Sequence, residues 1–241
     1  MSIYLEVLAE LGVGGAHPGG LRLSKKILET LDIDEETKIL DVGCGTGQTM
    51  AYIAERYGCK VTGIDVQEKM VEKANHRFKD LQLSIQCQRG DVESLPFDSN
   101  SFDYILSESV LTFTDLENAL KEIKRLLKES GTFIAVEMVK EKELPEKDLE
   151  KLQQFYGFKE ILTEEMWCHR LSSAGFHRVQ IEKEEVQTGE ADLDVVPDFH
   201  LSENVDESHF QHLMEHQKLL AKYSKFLGYR VIKCTVSPYT F

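Results

Sequence analysis

The fold of this chain is decided by the stretch Lys38-Ile39-Leu40-Asp41-Val42-Gly43-Cys44-Gly45-Thr46-Gly47-Gln48. Its first half is an apolar run typical of a buried strand, its second half has a glycine at every other position, and a helical pattern follows at 49–57. Alternate glycines permit a sharp turn and leave no Cβ between the main chain and a ligand. The free N–H groups of the next helix face the same place. The stretch therefore predicts a site for a nucleoside-type cofactor.

The glycine spacing bears on which cofactor binds there. A dinucleotide-binding turn has the form G-x-G-x-x-G, whereas here Gly47 comes one residue early and Gln48 stands where the third glycine is expected. This spacing disfavours a nucleotide-dependent dehydrogenase.

Three further segments occur in a fixed order after this turn. They are Val61-Thr62-Gly63-Ile64-Asp65, Gly90-Asp91-Val92-Glu93-Ser94-Leu95-Pro96-Phe97 and Leu126-Leu127-Lys128-Glu129-Ser130-Gly131-Thr132-Phe133-Ile134. Over roughly residues 35–140 the chain resembles the class I S-adenosylmethionine-dependent methyltransferases. The resemblance implies S-adenosyl-L-methionine as the cofactor and transfer of its methyl group to a small-molecule acceptor.

Alternating apolar runs and helical periods predict a doubly wound α/β fold. We expect one domain, 1–241, built on a seven-stranded, mostly parallel sheet, and the resemblance implies that the last two strands form an antiparallel hairpin at its edge. Strands are predicted at 38–42, 60–64, 82–87, 102–106, 132–137, 179–186 and 229–236, and helices at 21–31, 49–57, 67–79, 115–128, 163–174 and 206–227. Thr114 and Glu117 are expected to form a capping box. Residues 1–31 are expected to cover the cofactor.

The chain is acidic, with 28 Lys plus Arg against 42 Asp plus Glu and a net charge of −14. A protein that binds nucleic acid needs clustered basic side chains, so nucleic acid is not expected as a substrate. Five scattered cysteines, no basic leader and no apolar run near the ~20 residues of a membrane span predict a soluble cytoplasmic protein without a membrane partner. The sequence does not predict an oligomeric state.

The resemblance assigns cofactor contacts along the motifs. It implies that Asp65 accepts hydrogen bonds from the ribose, that Asp41 orients the methionine end, and that Asp91 lies near the adenine amino group. The full set of expected contacts is Asp41, Gly43, Cys44, Gly45, Gly47, Asp65, Val66, Gln67, Met70, Asp91, Val92 and Ser107, together with the amino-terminal Pro18, Gly19 and Gly20.

The catalytic groups are less well defined. Many relatives have a histidine where this chain has Phe113, so the usual general base is missing. Glu108, after the fourth strand, and His17 are the candidates, and Tyr4 or deprotonation by the substrate itself are alternatives. His17 is equally compatible with an exposed loop.

The carboxyl-terminal third contains an insertion between the last two strands. Residues 187–228 are interpreted as a lid, whose helix packs Phe210, Leu213 and Met214 toward the cavity. His209, His212 and His216 lie on one face of that helix, but without an acid or cysteine at ligand spacing we predict no metal site. Trp167 is expected in the core more often than in the pocket. A catalytically inactive cofactor-binding regulator remains an alternative, because binding motifs do not reveal a nucleophile.

Overall fold

The computed structural model describes residues 2–184 and 198–239. A seven-stranded sheet has the order β4-β3-β2-β5-β6-β9-β7. Its strands are β2 (Lys38–Val42), β3 (Lys60–Asp65), β4 (Gln86–Arg89), β5 (Phe102–Glu108), β6 (Leu127–Lys140), β7 (His177–Glu182) and β9 (Leu227–Thr235). The five strands from β4 to β6 are parallel, and β9 is antiparallel to β6 and β7. The predicted fold class is confirmed.

Eight helices belong to the described residues. They are α1 (Ile3–Leu11), α2 (Gly20–Leu28), α3 (Gln48–Tyr57), α4 (Glu68–Asp80), α5 (Leu116–Leu126), α6 (Glu146–Tyr156), α7 (Glu164–Ser173) and α8 (Glu207–Tyr223). A short 3-10 helix, Leu111–Phe113, follows β5, and a second sheet pairs β1 (Val13–Gly14) with β8 (Asp198–Phe199).

The sheet topology fixes where a ligand can bind. From β2 the chain proceeds to β3 and β4 on one side, and returns to β5 on the other. At such a switch point the loops after the two strands diverge and leave a crevice at the carboxyl ends of the strands. The glycine-dense turn follows β2, so it lines this crevice.

Three apolar clusters hold the layers together. One lies between the sheet and the helices α5 and α7, and a second lies between the sheet and the helices α2, α3 and α4. Trp167 belongs to the first cluster, is 2% exposed and donates to the Met138 carbonyl, so it is a core residue. The third cluster joins α1, α6 and α8 and is rich in aromatic rings.

The structure corrects the expected face of α8. Of the three side chains predicted to pack inward, Leu213 is partly buried against the third cluster, but Phe210 and Met214 are 44% and 57% exposed. The buried residues of the helix are Leu219 and Tyr223. The inward face carries histidine, because the rings of α6 and α1 offer partners for imidazole: His212 stacks on Phe155, and His216 contacts Tyr156 and Tyr4. Residues 187–197 of the proposed lid lie outside the described part.

Two further expectations need correction. Asp115, not Thr114, caps α5 by accepting from the Asn118 N–H, while the Thr114 hydroxyl donates back to the Leu111 carbonyl. The helices α1 and α6 were not predicted. Tyr4 lies in the aromatic cluster, where burial raises the pKa of its hydroxyl far above the usual value, so it is not placed to act as a base.

Candidate active site

A cavity of about 330 Å³ lies at the carboxyl ends of β2, β3 and β5. Twelve of the predicted residues line it: His17, Asp41, Gly43, Cys44, Gly45, Asp65, Val66, Gln67, Met70, Asp91, Val92 and Glu108. These twelve predicted residues therefore lie around one cavity.

Gly43 and Gly45 carry out distinct tasks in the turn after β2. Both have positive φ, 71° and 55°, and the N–H groups of Gly43 and Cys44 donate to the Ile64 carbonyl at 2.8 and 3.0 Å. A Cβ on Gly43 would lie 2.3 Å from the Val110 side chain, whereas a Cβ on Gly45 would meet no atom within 4 Å. The absence of a side chain at Gly43 thus lets Val110 pack against the turn, and at Gly45 it leaves open space beside the main chain.

Asp65 ends β3 and is held by main-chain donors. Its two carboxylate oxygens accept from the N–H groups of Gly45 and Gln67, at 3.0 and 2.8 Å. Burial raises the pKa of the Asp65 carboxyl, and these two hydrogen bonds offset only part of that effect. The geometry presents an oriented acceptor, with unused lone pairs, at the mouth of the glycine turn.

Asp41 is the most deeply buried acid of the site, at 2% exposed. Burial, followed by the charges of Glu108 and Asp65, raises its carboxyl pKa well above the ordinary value. The carboxyl groups of Asp41, Asp65 and Glu108 therefore repel one another when they are ionised. A cation placed among them relieves both the burial penalty and the mutual repulsion.

Glu108, the last residue of β5, connects that strand to the helices α2 and α3. The Ser24 hydroxyl donates to one of its oxygens at 2.6 Å, and the Thr49 hydroxyl donates to the other at 2.9 Å. His17 Nε2 lies 3.3 Å from Ser24 Oγ and 3.5 Å from Glu108, while its Nδ1 lies 3.2 Å from the Pro18 carbonyl. The His17 side chain is 5% exposed, so it is not a solvated loop residue.

Asp91 follows β4 and forms part of a tight turn. It accepts from the Glu93 N–H through its side chain and from the Ser94 N–H through its main chain. Val92 lies beneath it in the core, and Met70 from α4 lines the same end of the cavity. Asp91, Val92 and Met70 thus lie together at the end of the cavity where the resemblance predicts adenine contacts.

The comparisons with known proteins agree with this geometry. The family model described as a methyltransferase domain matches residues 40–135. A Bacillus subtilis protein described as the uncharacterized methyltransferase YodH is 38% identical over 229 residues, 95% of this chain and 97% of the relative. This chain belongs to the class I S-adenosylmethionine-dependent methyltransferases. It is an enzyme that uses S-adenosylmethionine.

One more distant protein is similar to part of this methyltransferase in sequence, and a second is similar to it in fold. The demethylmenaquinone methyltransferase of Staphylococcus epidermidis is 37% identical over 116 residues, 47% of this chain and 48% of that relative. The structure of Haemonchus contortus phosphoethanolamine N-methyltransferase 2 with S-adenosyl-L-methionine superposes with a TM-score of 0.79 at 19% identity, covering 97% of this chain and 57% of that one.

The residues of the methyltransferase fit its cofactor. The open space beside Gly45 admits a ligand along the main chain, and the Asp65 carboxylate faces it as a hydrogen-bond acceptor for hydroxyl groups. Asp41, whose carboxyl pKa is raised by burial and then by Glu108 and Asp65, would be favoured in its charged form by a cationic group bound beside it. When bound, the cofactor supplies an electrophilic methyl group on a positively charged sulfur.

Five of the predicted contacts do not line the cavity: Gly47, Ser107, Pro18, Gly19 and Gly20. Gly47 instead leaves room for Phe78, since a Cβ there would lie 2.5 Å from that ring. Gly19 and Gly20 begin α2, and Ser107 is fully buried beside Glu137. Glycine count and strand position alone did not distinguish cofactor contact from helix packing.

The amino-terminal segment reaches the methyltransferase cavity through different residues. Leu5 and Leu8 of α1, then Val13, Gly15 and Ala16, line it. The Gln67 side-chain amide donates to the Leu5 carbonyl, which ties α1 to the loop after β3. The apolar spacing of Leu5 and Leu8 on one helical face was the available sequence signal.

The structure also bears on membranes and metals. No helix in residues 2–184 or 198–239 is both long and apolar enough to cross a membrane. Within the same ranges, no group of three His, Cys, Asp or Glu residues is arranged to hold a metal ion. His209 instead bonds Asp206, its neighbour at the start of α8.

Proposed function

We propose that this methyltransferase transfers the methyl group to an apolar small-molecule acceptor that carries no phosphate or carboxylate. The observation that carries the proposal is the charge of the cavity lining. Five carboxyl side chains line it, those of Asp41, Asp65, Asp91, Glu93 and Glu108, and no Lys or Arg of the described residues does. An anionic acceptor would meet like charges and no paired cation, which disfavours binding in a partly buried site.

The walls beside Glu108 support an apolar acceptor. Val110 and Phe113, which follow Glu108 closely in sequence, line the cavity, as do Leu5 and Leu8 of α1. Phe113 packs on Phe158 with ring centroids 5.1 Å apart. Apolar walls with a few polar groups are typical of small-molecule sites. The Staphylococcus epidermidis relative, by its name, methylates demethylmenaquinone, and this supports a small-molecule acceptor for the present chain.

Glu108 and His17 are proposed to receive the acceptor's proton. Glu108 already accepts two hydroxyl hydrogen bonds, and His17 lies 3.5 Å from it. Each ring nitrogen of His17 faces an oxygen, so a proton on either nitrogen has an acceptor. General bases of this kind contribute about 10²–10⁴-fold to a rate.

The test uses methyl-labelled S-adenosylmethionine with the small-molecule and macromolecular fractions of a cell extract. We expect label in the small-molecule fraction, partitioning into organic solvent, and no transfer to phosphoethanolamine. Glu108→Gln should lower the rate by at least 100-fold, while Glu36→Gln, at an exposed ion pair with Lys60, should not. Label on phosphoethanolamine or on protein would contradict the acceptor class. Cofactor binding without any transfer would instead support a regulatory protein.

A further inference from the structure

Glu137, at the carboxyl end of β6, is a buried carboxyl group that lies outside the cavity lining. It is fully buried, yet none of its hydrogen-bond partners is a cation. Its neighbour across the sheet is Arg230 on β9, but the Arg230 guanidinium is held by Glu141 and Glu164. A buried acid without a paired cation is costly and requires a reason.

The donors around Glu137 come from one short segment. One carboxylate oxygen accepts from the N–H groups of Val110 and Leu111, at 3.1 and 2.9 Å, and the other accepts from the Thr112 hydroxyl at 2.9 Å. The Ser107 hydroxyl lies 3.5 Å away on β5. The carboxylate therefore organises the start of the 3-10 helix Leu111–Phe113 from beneath.

That segment is a wall of the site on its other side. Ser109, Val110, Phe113 and Thr114 line the cavity. Val110 also packs against the turn after β2, because a Cβ on Gly43 would lie 2.3 Å from its side chain. A displacement of residues 109–113 would thus move both the acceptor wall and the surface that supports the glycine turn.

We infer that Glu137 is a positioning residue, which in its ionised form holds the wall 109–113 in the shape that binds the cofactor and the acceptor. The inference rests on the proposed function only for the acceptor side of that wall. Burial raises the pKa of Glu137 to about 7, since its donors offset only part of the cost of the buried charge. The group is thus mostly ionised at pH 8.

This role separates binding from stability. An ionised group whose pKa is raised in the folded protein lowers stability above its ordinary pKa, so replacing it with an isosteric amide removes a destabilising charge. The Gln amide can keep its oxygen toward the N–H groups of Val110 and Leu111, but its NH₂ group forces the Thr112 hydroxyl to change from donor to acceptor. The neutral amide is also a weaker hydrogen-bond acceptor than the carboxylate, so each of these hydrogen bonds to the wall is weakened. Glu137→Gln is therefore expected to loosen the wall without a matching loss of folding stability.

The experiment measures S-adenosylmethionine affinity by calorimetry and thermal unfolding of the full chain at pH 8. Glu137→Gln should weaken binding at least tenfold with an unfolding midpoint at or above that of the wild type. Thr112→Val, which removes a single donor to the same carboxylate, should weaken binding by a smaller factor of about three.

Glu141→Gln is the matched control, because Glu141 directly follows β6 and pairs with Arg230 and Lys183 outside the cavity. It should lower the unfolding midpoint and leave affinity within twofold. Unchanged affinity in Glu137→Gln, or a loss of midpoint in parallel with Glu141→Gln, would overturn the inference. Because the readout is cofactor binding, failure to find an acceptor does not affect it.

Discussion

Replacing Asp65 tests the cofactor end of the site most directly. Its carboxylate is fixed by the N–H groups of Gly45 and Gln67 and keeps free lone pairs facing the cavity. Hydrogen bonds to a charged group are worth about 1.5–3 kcal/mol each, and 1.4 kcal/mol corresponds to a tenfold change in affinity. Asp65→Ala should therefore weaken cofactor binding by at least tenfold, and by more where both ribose hydroxyls are engaged.

Asp65→Asn adds a second, sharper measurement. The amide keeps the shape, but its NH₂ group would oppose a main-chain N–H, so affinity should again fall at least tenfold. Burial raises the pKa of the Asp65 carboxyl, so loss of the charge does not by itself destabilise the fold near neutral pH. A loss of affinity with retained unfolding midpoint separates recognition from folding.

The assay is calorimetric titration of wild type and variants with S-adenosylmethionine and with its demethylated product. Both ligands carry the ribose, so both should weaken by a similar factor. Asp80→Asn, an exposed acid paired with His76 at the end of α4, is the control and should bind within twofold of wild type. Unchanged affinity of Asp65→Ala for both ligands would refute the assignment of the ribose end.

Two further predictions concern stability. Gly43→Ala combines a φ of 71° with a Cβ 2.3 Å from the Val110 side chain, whereas Gly58→Ala has a φ of 66° and its nearest atom 3.9 Å away. The backbone strain alone lowers the free energy of unfolding by about 1–2 kcal/mol. Urea unfolding should therefore show a larger loss of stability for Gly43→Ala than for Gly58→Ala. Burial lowers the pKa of His216 to about 4, so the unfolded chain binds a proton first as pH falls below 6.5. Stability should then drop by about 2 kcal/mol between pH 7 and pH 5, and His216→Gln should flatten that drop, whereas an unchanged pH dependence would contradict it.

The sheet and the cofactor end were predictable because each signal there is local. An apolar strand, a turn with positive φ at Gly43 and Gly45, and an acid at the end of the next strand are all encoded within about thirty residues. Parallel strands bring their carboxyl ends to one edge regardless of the helices between them. Asp41 and Asp65 therefore had to meet once the strands were identified correctly.

The cover of the site was less predictable, because it depends on contacts between distant segments. The helix α6 lies in a charged stretch, and its apolar residues pack on α1 rather than on the sheet. Hydropathy alone therefore predicts an inward face of Phe210, Leu213 and Met214 on α8 and gives no reason to bury His216. In the structure, the Tyr156 hydroxyl lies 3.0 Å from His216 Nδ1, which allows imidazole to be buried.

The buried cation Lys73 shows how the cover depends on the rest of the fold. Its ammonium group, on α4, donates to the carbonyls of Ala9 and Glu10 at the end of α1 and to that of His200 beside β8. Carbonyls at the end of a helix lack partners within the helix, and a cation there is favourable. The Lys73 side chain thus connects α1 and the segment around His200 to α4 in the cofactor-binding half, and no local sequence signal predicts this connection.

The charge of the cavity connects binding to turnover. Burial, and after it the charges of Glu108 and Asp65, raises the pKa of Asp41. A positively charged sulfur held among these carboxyl groups would favour their ionised forms, and binding would be strengthened by that attraction. Methyl transfer removes the positive charge from the sulfur, and the attraction falls when the product forms. The carboxylates therefore attract S-adenosylmethionine more strongly than its demethylated product, and this difference assists release of the product. An anionic acceptor would itself attract the positive sulfur and so weaken the attraction between the sulfur and the carboxylates. Among the described residues no Lys or Arg lines the cavity, so such an acceptor would have no cationic partner.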